Sequence, residues 1–206
     1  MELLTSCFTG AQKAAPRDLN VICKEEFVDY FENIIKTLLE HDGYWVRQSF
    51  KVNLTKQEKR DIGKYSMPRP EIDILAFRPE KNQIIAFEAK SFLDSPGVKV
   101  SDLSYKTEIP EGRYKLFTCT NYRNIVFNRL KQDLIELGMC TQNTEIILGL
   151  AAGKVYQSKS AEIKEMLTNC GWEFLSPENI KNKVIHLSQK GYENEPSIIT
   201  AKILMR

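Results

Sequence analysis

Residues 70–92 read PEIDILAFRPEKNQIIAFEAKSF. Two apolar runs are joined by the short polar link PEKN, which predicts strands over about 71–78 and 83–91 paired as an antiparallel hairpin. Asp73 interrupts the first run, and Glu88 and Lys90 interrupt the second. Because side chains alternate along a strand, Asp73 is expected on the face of Leu75 and Phe77, opposite Ile72, Ile74 and Ala76. Glu88 and Lys90 are expected to share a face, opposite Ile85, Phe87 and Ala89. If position 73 pairs near 88, three ionisable groups converge at one end of a buried sheet. Unpaired charges are costly to bury, so such a cluster persists only if it is paired or holds a metal. Lys90 neutralising one carboxylate as an internal ion pair is the structural alternative. One ammonium against two carboxylates leaves a negative surplus, which suits a hard cation such as Mg²⁺.

Outward from the hairpin, Phe27, Phe31, Ile34, Ile35 and Leu38 recur at helical spacing, predicting a helix from about Val21 to Glu40 that ends at His41-Asp42-Gly43. YWVRQSFKV (44–52) reads as a strand. The polar, basic stretch NLTKQEKRDIGKYSMPRP is expected as a loop, since its two prolines forbid a central strand. Beyond the hairpin, a loop over about Asp94–Glu111 leads to a helix from about Asn121 to Leu137. Asn121 is its expected N-cap, Val126, Leu130, Leu134 and Leu137 its apolar stripe, and Gly138 its stop. EIILGLAA (145–152) has the nearly continuous apolar character of a strand buried on both faces. The order is α-β-β-β-α-β, an α/β protein with a central mixed sheet flanked by helices. A helix near 161–169, the strand WEFLS and a helical tail from about Pro177 follow, with GYENEP as a break. Residues 1–20 show no clear period. No repeat or linker divides the chain, so residues 1–206 are read as a single domain.

Composition is that of a soluble globular protein, 42% hydrophobic and 27% charged with net charge +2. No apolar run approaches the roughly 20 residues of a membrane span, and MELLTSCFTG lacks the pattern of a secretory signal. Cys7, Cys23, Cys119, Cys140 and Cys170 are odd in number and form no CxxC, which predicts reduced thiols in a cytoplasmic protein. His41 and His186 are far apart and read as surface or capping residues. Charge is unevenly spread: residues 51–70 carry six basic and two acidic side chains, and residues 112–131 five basic and no acidic ones. Local basic segments in a near-neutral chain suit a polyanion.

Asp73 followed by Glu88-Ala89-Lys90 resembles the PD-(D/E)XK motif of the restriction-endonuclease-like nuclease superfamily, whose common core has the α-β-β-β-α-β order read above. FENIIKTLLEHDGYWV (31–46) is similar to the helix-turn-strand opening of Mrr-like restriction endonucleases. The resemblance covers roughly residues 21–152 and leaves 153–206 as an extension. The residue before Asp73 is Ile72 rather than the motif's proline, with Pro70 close by. Glu162-Ile163-Lys164 repeats the letters of the motif, but it lies in a helical pattern with no acid-bearing strand upstream.

The resemblance implies a Mg²⁺-dependent endodeoxyribonuclease of restriction, defence or mobile-element biology. Asp73 and Glu88 would hold the metal, with Mn²⁺ as a substitute and the Ala89 carbonyl as a further ligand. Lys90 would orient or activate the attacking water, and Glu32, with Glu26 as the fallback, would be the helix acid. Lys56, Lys59, Arg60, Lys64 and Arg69 in the first basic window, and Arg113, Lys115 and Arg123 in the second, are expected to contact phosphates. DNA is the expected partner, RNA stays open, and cutting both strands would imply a homodimer. The alternative is a non-catalytic nucleic-acid-binding or assembly subunit that keeps the fold.

Overall fold

The computed structural model describes residues 29–191 and 193–206. The start of the first predicted helix, Glu26, Cys7 and Cys23 lie outside the described residues. Helix α1 spans Tyr30–His41, and Asp29 caps it by accepting from the Phe31 and Glu32 N–H groups. Gly43 turns the chain with φ 87° into strand β1, Trp45–Lys51.

The hairpin forms as expected, β2 over Glu71–Arg78 and β3 over Gln83–Lys90, antiparallel with Ile74 opposite Phe87. Strand β4, Glu145–Ala152, lies parallel to β3, and β5, Glu173–Leu175, parallel to β4. The result is a five-stranded mixed sheet in the order β1-β2-β3-β4-β5.

Helices cover both faces. Helix α5 (Thr120–Glu136) and helix α6 (Ser160–Asn169) pack Val126, Leu130, Leu134, Ile163 and Leu167 against Leu75, Ile84, Leu148 and Leu150. On the other face, α1, α7 (Pro177–Gln189) and α8 (Pro196–Leu204) pack Ile35, Leu38, Ile180, Leu187 and Ile198 on Ile74, Ile85 and Phe87. Each such buried aliphatic or aromatic side chain stabilises the fold by about 1.5–3 kcal/mol. No described helix is long and apolar enough to cross a membrane.

Several expectations change. The stretch read as one loop after β1 contains helix α2, Lys56–Asp61, whose Thr55 and Glu58 satisfy each other's backbone N–H groups as a capping box. The loop after β3 holds a short helix α3 (Val100–Ser104), and α4 (Lys115–Thr118) precedes α5. Helix α5 begins at Thr120 with Cys119 in the cap position, and the Asn121 amide instead donates to the Asp61 carbonyl. Leu137 is the C-cap of α5 and, unlike Val126, Leu130 and Leu134, is not buried but 58% exposed.

Strict alternation also fails at one place. On β1, Val46 packs on the α1 face and Phe50 on the α5 face; on β2, Ile74 faces α1 but Ile72 faces α5. The change of parity falls at Ser49 and Asp73, which the register places opposite each other between the Gln48–Ile74 and Phe50–Ile72 pairs. Ser49 has φ 52°, a left-handed conformation unusual for a residue with a side chain.

Candidate active site

Asp73 sits at this switch, just beyond the Ile74–Phe87 pair that ends the β2–β3 ladder. Strand β3 runs on to Lys90, paired on its other edge with β4. The N–H of Ala89, which has passed the end of the β2 ladder, donates to Asp73 Oδ2 at 2.8 Å. The Lys90 ammonium lies 3.3 Å from the same oxygen and 3.2 Å from Glu88 Oε1. The Asp73, Glu88 and Lys90 side chains are 19%, 17% and 19% exposed, so the triad is largely withdrawn from water.

Burial first, and then the Asp73 charge, raise the Glu88 carboxyl above its usual range, against the pull of Lys90. Burial alone would lower the Lys90 ammonium, but Glu88 and Asp73 outweigh it and leave its pKa raised. Glu32, in the first turn of α1, is pushed up to about 7 by burial and then by the charge of Asp73. The sequence-derived helix acid therefore feels the same cluster.

Two open clefts flank the cluster. One, of about 590 Å³, contains Glu88 and Lys90 with Lys64, Arg69, Arg113 and Lys115 on its walls and Phe92 and Tyr122 beside them. The other, of about 630 Å³, contains Glu32 and Ser49, and Glu71 lines both.

Four of the expected phosphate contacts thus line the cleft of Glu88 and Lys90 and four do not. Lys56 and Arg60 are exposed on α2 outside that cleft. Lys59 donates to the Met67 carbonyl at 2.9 Å and pins the loop that forms one wall. Arg123 donates to the Leu116 carbonyl at 2.8 Å and lies over the Trp172 ring, so its guanidinium is already engaged. Arg129, part of the same basic window, is bound to Glu58. Basic residues close in sequence on a helix point around it, and only some can face one cleft.

Glu162 and Lys164 are exposed on α6, with Glu162 paired to Lys159, as expected of a solvated face. Sequence reasoning missed Glu71, Phe92 and Ser49; only the polar-to-apolar transition at Glu71 marked any of them.

Among the described residues no three His, Cys, Asp or Glu side chains form a ready-made metal cluster. The donor set nevertheless suits a hard cation. The protein contacts occupy Asp73 Oδ2 and Glu88 Oε1, leaving Oδ1 and Oε2 without a protein partner among the described residues. One or two carboxylate oxygens completed by water and phosphate is the usual manner of Mg²⁺ binding.

Comparison of the chain with models of protein families, with curated proteins and with solved structures found no match.

Proposed function

We propose that the protein is a metal-dependent nuclease that hydrolyses phosphodiester bonds of DNA, built on a restriction-endonuclease-like core. The observation that carries this reading is the Asp73, Glu88 and Lys90 triad where the β2–β3 ladder ends, with Glu88 and Lys90 lining a cleft walled by four cations and Asp73 bound behind them to Lys90 and the Ala89 N–H. A Mg²⁺ ion held by Asp73 and Glu88, with Mn²⁺ as substitute and the Ala89 carbonyl as a further ligand, would supply the charge that polarises the phosphate and acidifies water.

The chain's own groups do the rest. Asp73 is fixed by the Ala89 N–H, so its second oxygen is held in place before any substrate arrives. With a raised pKa, Lys90 is an ammonium at neutral pH. In this reading its part is to donate hydrogen bonds and stabilise charge gathering on phosphate oxygens. Glu32, pushed up to about 7 by burial and the Asp73 charge, lines the neighbouring cleft with Ser49 and Glu71 and is the helix acid of this reading. Lys64, Arg69, Arg113 and Lys115 position the strand without reading its sequence.

A second reading rests on the same ion pairs: Lys90 bridging both carboxylates is also what a structural strut looks like, in a binding subunit that does no chemistry. Incubating the protein with plasmid, single-stranded DNA and RNA in Mg²⁺, Mn²⁺ or EDTA separates the two. Divalent-dependent cutting supports the nuclease, and binding without cutting in every condition supports the subunit.

A further inference from the structure

The walls of the Lys90 cleft carry Phe92, Leu116 and Tyr122 among the cations, and exposed apolar side chains adjoin its lining residues along the chain. Tyr65 stands between the lining residues Lys64 and Ser66, Leu93 follows Phe92, and Ile109 precedes Pro110; all three are exposed, Tyr65 to 75%. The Tyr65 and Ile109 loops meet, since a Cβ at Gly63 would lie 4.0 Å from the Ile109 side chain. Exposed apolar groups rimmed by charge mark an interaction surface.

Beside this cleft is a side cavity of about 500 Å³, sharing Gly112 and Arg113 with it. Tyr105, 68% exposed, stands among its lining residues. Tyr114 and Thr107 also line it, and the Tyr114 hydroxyl and Thr107 Oγ1 are buried with no hydrogen-bond partner among the described residues. Asp102 and Glu111 add carboxylate acceptors. A phosphate would be repelled by those two acids. A nucleobase edge, with amino donors and ring acceptors, matches acids and hydroxyls together.

We propose that the cleft takes an unpaired nucleic-acid strand, its backbone along Lys64, Arg69, Arg113 and Lys115 and one unstacked base seated against Tyr105 in the side cavity. This deepens the nuclease reading and rests on it for the chemistry alone. Basic grooves with aromatic platforms are the general means of holding single strands, whereas a base in an intact duplex cannot offer its pairing edge to a side cavity.

The test is fluorescence anisotropy in EDTA with one labelled oligonucleotide, alone and annealed to its complement, followed by a cleavage assay in Mg²⁺. Wild type should bind the single strand at least ~10-fold more tightly than the duplex. Tyr105→Ala should weaken single-strand binding about 5-fold or more, and Tyr114→Phe about 2–10-fold. Trp45→Ala, an exposed aromatic away from the cleft, should change nothing. Tyr114→Phe removes a buried hydroxyl that lacks a partner, so its melting temperature should not fall; a purely structural tyrosine would leave binding unmoved. Duplex bound as tightly as single strand, or tyrosine variants indistinguishable from Trp45→Ala, overturns the proposal even if DNA is cut. Single-strand preference lost in the tyrosine variants, with no cleavage in Mg²⁺, upholds it and sinks the nuclease reading instead.

Discussion

Asp73 accepts the Ala89 backbone N–H at 2.8 Å through the same oxygen that faces the Lys90 ammonium at 3.3 Å. One side-chain atom therefore closes the open end of the hairpin ladder and anchors the charged cluster. The two tasks can be separated by substitution. Asp73→Asn keeps an oxygen for the Ala89 N–H, and Lys90 keeps Glu88, so the midpoint of denaturant unfolding should move little while cutting is lost. Asp73→Ala orphans the N–H as well and should cost a further ~1–3 kcal/mol. If Asn destabilises as much as Ala, the charge and not the hydrogen bond holds the strands, and the strut reading gains.

Divalent metal should stabilise the folded protein. At a Mg²⁺ concentration about 100 times its Kd, a single site adds about 2.7 kcal/mol, or roughly 5–10 °C in melting temperature for a chain of this size. Glu88→Gln should abolish most of the rise. An equal rise in that variant would place the metal elsewhere.

Much of this was legible from sequence because the hairpin, β4 and α5 are periodic and strongly apolar. The antiparallel pairing that brings 73 to 88 follows from the four-residue link alone. The capping box of α2 was also there to be read, as Thr55-Lys56-Gln57-Glu58, but prolines further along the same stretch masked it. The turnover of faces at Ser49 was not legible: a positive φ at serine is imposed by the surrounding sheet, not by the residue. That turnover is why Ile72 departs from the face of Ile74. The fate of Arg123 was likewise hidden, since only the folded chain puts Trp172 beneath it.

The raised Glu32 pKa predicts a pH dependence. A carboxyl titrating at about 7 when folded and near 4.5 when unfolded binds more protons in the folded state between those values. Its favourable contribution is then present below about 4.5 and lost as pH rises through 7. In EDTA, Glu32→Gln should therefore raise the melting temperature at pH 8 relative to wild type and leave it nearly unchanged at pH 4.5. A difference that does not vary with pH would show that Glu32 does not titrate in this range. The same variant should lose most activity in Mg²⁺.

Gly153 lies where the ends of β3 and β4 meet. Its N–H donates to the Lys90 carbonyl at 2.9 Å, and a Cβ there would stand 2.4 Å from the Ser91 carbonyl oxygen. Gly153→Ala must push the backbone beside Lys90 away. It should cost ~1–3 kcal/mol and lower cutting although no ionisable group is removed. Unchanged activity in a folded Gly153→Ala protein would mean that Lys90 tolerates displacement.

The most direct measurement is hydrolysis of end-labelled DNA by wild type, Lys90→Ala and Lys164→Ala, each in Mg²⁺ and in EDTA. Wild type and Lys164→Ala should cut in Mg²⁺ and not in EDTA. Lys90→Ala should be at least ~100-fold slower, the usual scale for losing one preorganised charge-stabilising donor. Cutting that persists in EDTA, or a Lys90→Ala protein as active as Lys164→Ala, would contradict the assignment of the Asp73, Glu88 and Lys90 cluster as the catalytic centre.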